Sequence, residues 1–166
     1  MYGFLLVVHV ITGFIGLLLA GPVLLVRKRR GVHTVLGRVY AGAAVLMSVS
    51  ALALIGHEPR LWPLGIIAVL VLAMIGPGLA LAARRPRGWF IWHLNLMASS
   101  AVAFVTAFAV QMSDLHPLAW VIPPAVGTVL ITFRSLVAQG VIPRRAVRAR
   151  PRSLTGSAAR AGHAGR

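Results

Sequence analysis

The sequence predicts an all-α integral membrane protein, a bundle of about five transmembrane helices. Three observations carry that reading. Hydrophobic residues make up 58% of the 166 and charged residues only 11%, against roughly 25% charged in an average soluble domain. The apolar residues fall in runs long enough to cross a bilayer, which takes about 20 residues at a rise of about 1.5 Å each. The basic residues fall between those runs in short clusters, where the ends of membrane helices carry them.

The first run covers residues 4–26 without a formal charge, and four consecutive cations, Arg27, Lys28, Arg29 and Arg30, stop it. It has no basic segment before it and is too long for a signal h-region, so it reads as a span and not a cleavable leader. The second run covers residues 35–55, with Arg38 near enough to its start to snorkel to the interface. The third covers 61–83 and ends at Arg84, Arg85 and Arg87; the fourth covers 89–110. The fifth, 118–133, is the shortest, carries Pro123 and Pro124, and meets Arg134 early. Two continuations are open for it: helix past Arg134 toward Ile142, or a tilted short span. The chain thus divides into a bundle over residues 1–142 and a basic segment over 143–166, which reads as disordered because it has little to bury.

The charges also orient the bundle. If the spans alternate, residues 27–30, the 84–87 cluster and the arginines from Arg144 onward share one side. The opposite side holds Arg60 and both acidic residues of the chain, Glu58 and Asp114. The positive-inside rule puts the N-terminus outside and the C-terminal segment in the cytoplasm. Trp62 and Trp120 then begin spans at the outer face and Trp89 and Trp92 at the inner face, as interfacial anchors. A net charge of +15 therefore reads as topogenic and as an attraction to anionic lipids, each Arg near the surface contributing about 1 kcal/mol. No nucleic-acid partner is expected. With no cysteine in the chain, disulfides and thiolate metal sites are excluded.

Polar residues inside a membrane are costly, so each calls for a partner or a role. His9, about 10 Å below the outer boundary, shares a helix face with Gly13 and Gly16. Small residues there permit close helix approach. His9 reads first as a packing residue bonded to a neighbouring helix, with a metal or proton role as the sharper option. His33 precedes the second span at the inner boundary, with Gly37 and Tyr40 on its face and Arg38 beside it. Imidazole, phenol and guanidinium together suit a site that holds a metal or proton and an anionic group. His93 lies one turn inside the fourth span, with Met97, Ser100, Phe104 and Gln111 on its face. Asn95, Ser99 and Thr106 mark a second face and read as hydrogen-bonding links between helices. By depth, His33 and His93 lie within about 6 Å of each other along the membrane normal. His57, Glu58, Asp114 and His116 in the outer loops form a weaker metal candidate. No metalloprotease, serine-hydrolase or phosphate-loop motif is present, and no acidic relay lies inside the spans.

At these residues the sequence resembles a bacterial membrane-protein family, the domain of unknown function 2306 family. The likeness covers most of residues 3–133. It rests on H-x-I-T-G at 9–13, A-G-P at 20–22, H-x-x-x-G-R-x-Y at 33–40, H-x-x-x-M-x-x-S at 93–100, T-A-F at 106–108 and W-x-x-P at 120–123. The chain departs from the family at Ala101, near which an aromatic is common. The resemblance implies a multi-span membrane protein with histidines at helix ends, and no particular reaction.

Three functions compete at this point. The first is a membrane redox or cofactor-binding protein holding haem b or quinone near the inner face, with His33, His93, Tyr40 and Arg38 as its cofactor-binding residues. The second is a non-catalytic accessory subunit that packs partner helices against Gly13, Gly16, Gly76 and Gly78. The third is a small transporter, with Pro77, Pro123 and Pro124 breaking helices around a midplane site.

Overall fold

The computed structural model describes residues 1–25 and 31–142. Residues 26–30 and 143–166 lie outside the described residues, and with them the first basic cluster and the expected disordered segment. Five helices follow one another: α1 (Tyr2–Leu25), α2 (Val32–Ile55), α3 (Trp62–Arg84), α4 (Trp89–Met112) and α5 (Pro117–Ala138), with a short 3-10 turn (Pro59–Leu61) before α3. All five are long and apolar enough to cross a membrane. There is no strand among the described residues.

The helix ends sit where the sequence places breakers. Gly31, with φ 114°, precedes α2, and Gly88, with φ 74°, precedes α4; both conformations are open to a residue without Cβ. Pro117 opens α5 at a position where a missing N–H costs nothing, and His116 caps that end by accepting the Leu118 N–H at 3.3 Å. The fifth helix continues past Arg134 to Ala138. The first of the two continuations is therefore the observed one. Arg134 is exposed, so the cation lies on the helix surface without ending it.

Pro22, Pro77, Pro123 and Pro124 all lie inside continuous helices. The motive for the transporter reading, helices broken around a midplane site, is not met among the described residues. Membrane helices accommodate proline because neighbouring groups take up the freed carbonyls.

Short connections make successive helices antiparallel. The helices α1, α2, α3 and α4 form a ring, each touching the next and α4 touching α1; α5 lies outside it against α4. That puts α2 and α4 on the ring's diagonal. The core between them is Tyr40, Ala44, Met47, Val71, Ile75, Met97, Ala101 and Phe104. Large apolar side chains such as Phe14, Leu18, Val129 and Leu130 point outward, which is expected of a surface solvated by lipid.

Close approach at glycine sets the helix spacing. A Cβ built on Gly16 would stand 2.6 Å from Phe104 of α4, one on Gly78 2.9 Å from Met97, and one on Gly127 would collide with Val102. One on Gly65 would stand 2.6 Å from Ile55. Gly13 and Gly16 thus face other helices as expected, Gly13 more loosely, with 3.8 Å to Met47. Gly76 does not: it is exposed, with nothing within 4 Å of an added Cβ.

Candidate cofactor site at one end of the helix ring

The polar residues in the half of the bundle toward the α2–α3 and α4–α5 connections are used structurally. His9 Nδ1 lies 3.2 Å from the Met47 carbonyl and 3.2 Å from Ser50 Oγ. Ser50 donates its own hydroxyl proton to the Met47 carbonyl at 2.9 Å. The Nδ1–H of His9 therefore donates to one or both oxygens and ties α1 to α2. Thr12 turns back to the Val8 carbonyl at 2.7 Å.

Among the described residues the α2–α3 and α4–α5 connections do not assemble a metal site. His57 packs on the Tyr2 ring, 5.4 Å between centroids. Glu58 pairs with Arg60 at 3.9 Å, and the His116 ring nitrogen is spent on the α5 cap. Among the described residues no three His, Asp or Glu side chains gather as metal ligands, and His9 has no metal companion.

The α4 residues divide differently from the expectation. Asn95 is an interhelical link: its Oδ1 accepts from Ser135 of α5 at 2.7 Å. Thr106 is not, since its hydroxyl donates to the Val102 carbonyl of its own helix at 2.8 Å. Gln111 is exposed, unlike Met97, Ser100 and Phe104 on the same face.

At the other end of the ring, where α1 and α3 finish and α2 and α4 begin, lies a cavity of about 660 Å³. That volume falls within the range of small-molecule sites, about 300–1,000 Å³. Its apolar walls come from Val23 and Leu24 of α1, Leu79 of α3, and Leu94 and Met97 of α4. Its polar lining comes from His33, Thr34 and Arg38 of α2, Arg85 after α3, and Trp89 and His93 of α4. Helix α5 contributes nothing to it.

Three of the four residues expected in a site, His33, Arg38 and His93, therefore line one cavity. The fourth, Tyr40, does not line it, and the expectation that it joins the wall is corrected. Its side chain is 1% exposed and its hydroxyl lies 3.1 Å from Ser100 Oγ. Ser100 gives its single proton to the Met97 carbonyl at 2.8 Å, so Tyr40 is the donor to Ser100. Periodicity puts Tyr40 on the His33 face, but two turns along α2, past the residues of that helix that line the cavity. There it links α2 to α4 across the diagonal and fixes the separation of the two helices that carry the histidines.

His93 is held in one tautomer. Its Nδ1 lies 2.8 Å from the Gly78 carbonyl. A carbonyl only accepts, so Nδ1 carries a proton, and in the neutral imidazole Nε2 keeps its lone pair. The imidazole packs against Trp89, centroids 5.9 Å apart. Over that indole lies the Arg85 guanidinium, 5.4 Å from the ring centroid. Arg85 also ends α3 in the left-handed conformation, φ 50°, which costs a residue with Cβ about 1–2 kcal/mol. A bond from its Nε to the Ala82 carbonyl at 3.4 Å holds the side chain against the helix end. Sequence reasoning missed Arg85; its place in a run of arginines at a span end gives no sign of it.

Comparison of the chain with protein-family models, with curated proteins and with solved structures gives no match. The chain is a five-helix bundle of membrane-spanning character, and its function has to be argued from the cavity.

Proposed function

We propose that this chain is a multi-pass protein of the bacterial inner membrane that binds haem b in the cavity between α2 and α4. The observation that carries the reading is the His93 tautomer. A histidine whose Nδ1–H is fixed on a backbone carbonyl offers Nε2 as a ligand, the usual arrangement of a metal-bound imidazole. His33 supplies a second imidazole from the diagonally placed helix, and bundle cofactors are commonly held between facing side chains in this way. The apolar walls suit a porphyrin face.

Quinone makes less use of the site, because its carbonyls would take donors from Thr34, Trp89 or the arginines and leave Nε2 of His93 without a role. The accessory-subunit reading retains exposed Gly76, but Gly16, Gly78, His9 and Asn95 are engaged within the chain itself. The basic clusters support an outside N-terminus and a cytoplasmic C-terminal segment, and the cavity then opens at the cytoplasmic face beside Arg84, Arg85 and Arg87. The motif order from His9 to Pro123 supports placing the chain with the domain of unknown function 2306 family. The lipid bilayer is its solvent, with anionic lipids beside the segment 143–166.

The test is a haem titration of the detergent-purified chain, followed by absorbance. The reading expects saturable one-to-one binding that His93→Ala abolishes and His33→Ala weakens or converts to a different spin state. Uptake that is non-saturable, or identical in the His93→Ala protein, contradicts it.

A further inference from the structure

The cavity carries two cations that this chain cannot neutralise. Arg38 and Arg85 both line it. The whole sequence has only two acidic side chains, Glu58 and Asp114. Both lie in the α2–α3 and α4–α5 connections, at the opposite end of helices about 35 Å long. Glu58 is moreover paired with Arg60. No side-chain carboxylate of the protein can reach either arginine. A guanidinium beside an apolar cavity favours a bidentate anionic partner, and here no acidic side chain of the protein supplies it, whereas a ligand in the cavity can.

The two arginines also differ from a solvated fringe of positive charge in how they are placed. Arg38 follows Gly37, and both line the cavity one turn along α2 from His33. Arg85 is positioned by three features at once: the left-handed end of α3, the Nε bond to Ala82, and the stack on Trp89. Trp89 in turn packs on His93. The chain Arg85–Trp89–His93 thus couples the cation to the ligating imidazole through one indole.

We infer that Arg38 and Arg85 form an anion clamp that selects a ligand with carboxylates on its outer edge, namely a porphyrin with free propionates. This rests on the haem reading of the cavity and adds to it which part of the ligand is recognised and by which residues. The iron side is held by the histidines and the carboxylate edge by the arginines. Neutral ligands of the same shape lack the second half of the site.

Three probes separate the two halves. Haem b has iron and carboxylates, protoporphyrin IX has carboxylates without iron, and haem dimethyl ester has iron without carboxylates. Each is titrated into the full chain in neutral detergent, as wild type, as the Arg38→Gln/Arg85→Gln double variant, and as His93→Ala. Both arginines are exposed, so the double variant is expected to fold, and its melting temperature checks this. Charge-assisted bonds of this kind are expected to change haem affinity by at least about tenfold for the pair. The double variant should bind haem at least that much more weakly, yet bind the dimethyl ester as wild type does. Protoporphyrin IX should depend on the arginines and not on His93. Added salt should weaken haem binding to wild type more than to the double variant.

Equal affinity of wild type for haem and its dimethyl ester overturns the clamp while leaving histidine ligation intact. Arginine-dependent haem and protoporphyrin binding that ignores His93 overturns ligation and leaves the clamp standing. Failure of all three probes to bind overturns both.

Discussion

Replacing Gly16 by alanine tests how the bundle is held together. The added Cβ would stand 2.6, 3.0 and 3.2 Å from three carbons of the Phe104 ring, where ordinary contact is about 3.5–4 Å. Phe104 is 3% exposed and packs at 6.4 Å from the Tyr40 ring, so the ring has nowhere to retreat. Relief requires α1 to move from α4 by about 1 Å. Overpacking of this size costs about 1–3 kcal/mol. Alanine also gains roughly 0.5–1 kcal/mol of helix propensity over glycine, which blurs the effect of the single variant. Gly13→Ala removes that ambiguity. It gains the same propensity, but its Cβ would lie 3.8 Å from Met47, an ordinary contact. The difference between the two variants isolates the clash. At roughly 2–4 °C per kcal/mol for a chain of this size, Gly16→Ala should melt roughly 2–12 °C below Gly13→Ala in detergent. Phe104→Leu, added to Gly16→Ala, should narrow the gap. Equal melting temperatures for the two alanine variants would refute the packing of α1 on α4 through Gly16.

Other consequences are as specific. Tyr40→Phe removes the donor to Ser100 and should lower stability by about 0.5–1.5 kcal/mol in thermal melts, with haem affinity nearly unchanged, since Tyr40 does not line the cavity; a loss of ligation comparable to His93→Ala would put Tyr40 back in the site. Ser135→Ala leaves Asn95 Oδ1 without its donor and should loosen α5, read as faster proteolysis or hydrogen exchange in α5 alone; uniform loosening of all five helices would contradict the peripheral placement of α5. Cysteines placed singly as Glu58→Cys and Ser157→Cys should label from opposite sides of the membrane with an impermeant thiol reagent; labelling from the same side would overturn the alternating five-span topology.

The spans were legible in the sequence because each depends only on length and apolarity within one segment. The start of α4 at Trp89 was legible from the end of the 84–87 cluster, while α2 begins at Val32, three residues before the apolar run at 35. Depth counting put His33 and His93 at one level, and both line one cavity. What escaped depends on pairs of helices. Which carbonyl takes a hydroxyl is decided by local geometry, so Thr106 bonds its own helix while Ser100, on the His93 face, receives Tyr40 from α2. Periodicity gave the face of Tyr40 but not that its hydroxyl would be spent on Ser100 of α4, outside the cavity. Gly127 and Gly65 matter only because Val102 and Ile55 stand opposite them, and no single-helix pattern carries that. Arg85 gained its role from a backbone turn and a stacked indole, neither of which a run of arginines reveals.

The central claim is that the cavity at the start of α2 and α4 holds haem through His93. The most direct measurement is the absorbance spectrum of the chain purified in mild detergent from cells supplied with a haem precursor, before and after dithionite. The account predicts a Soret band and a reduced α-band in the wild-type protein, both absent from His93→Ala at equal yield and melting temperature. A colourless wild-type protein that also stays colourless after haem is added, or a band that survives in His93→Ala unchanged, would contradict it.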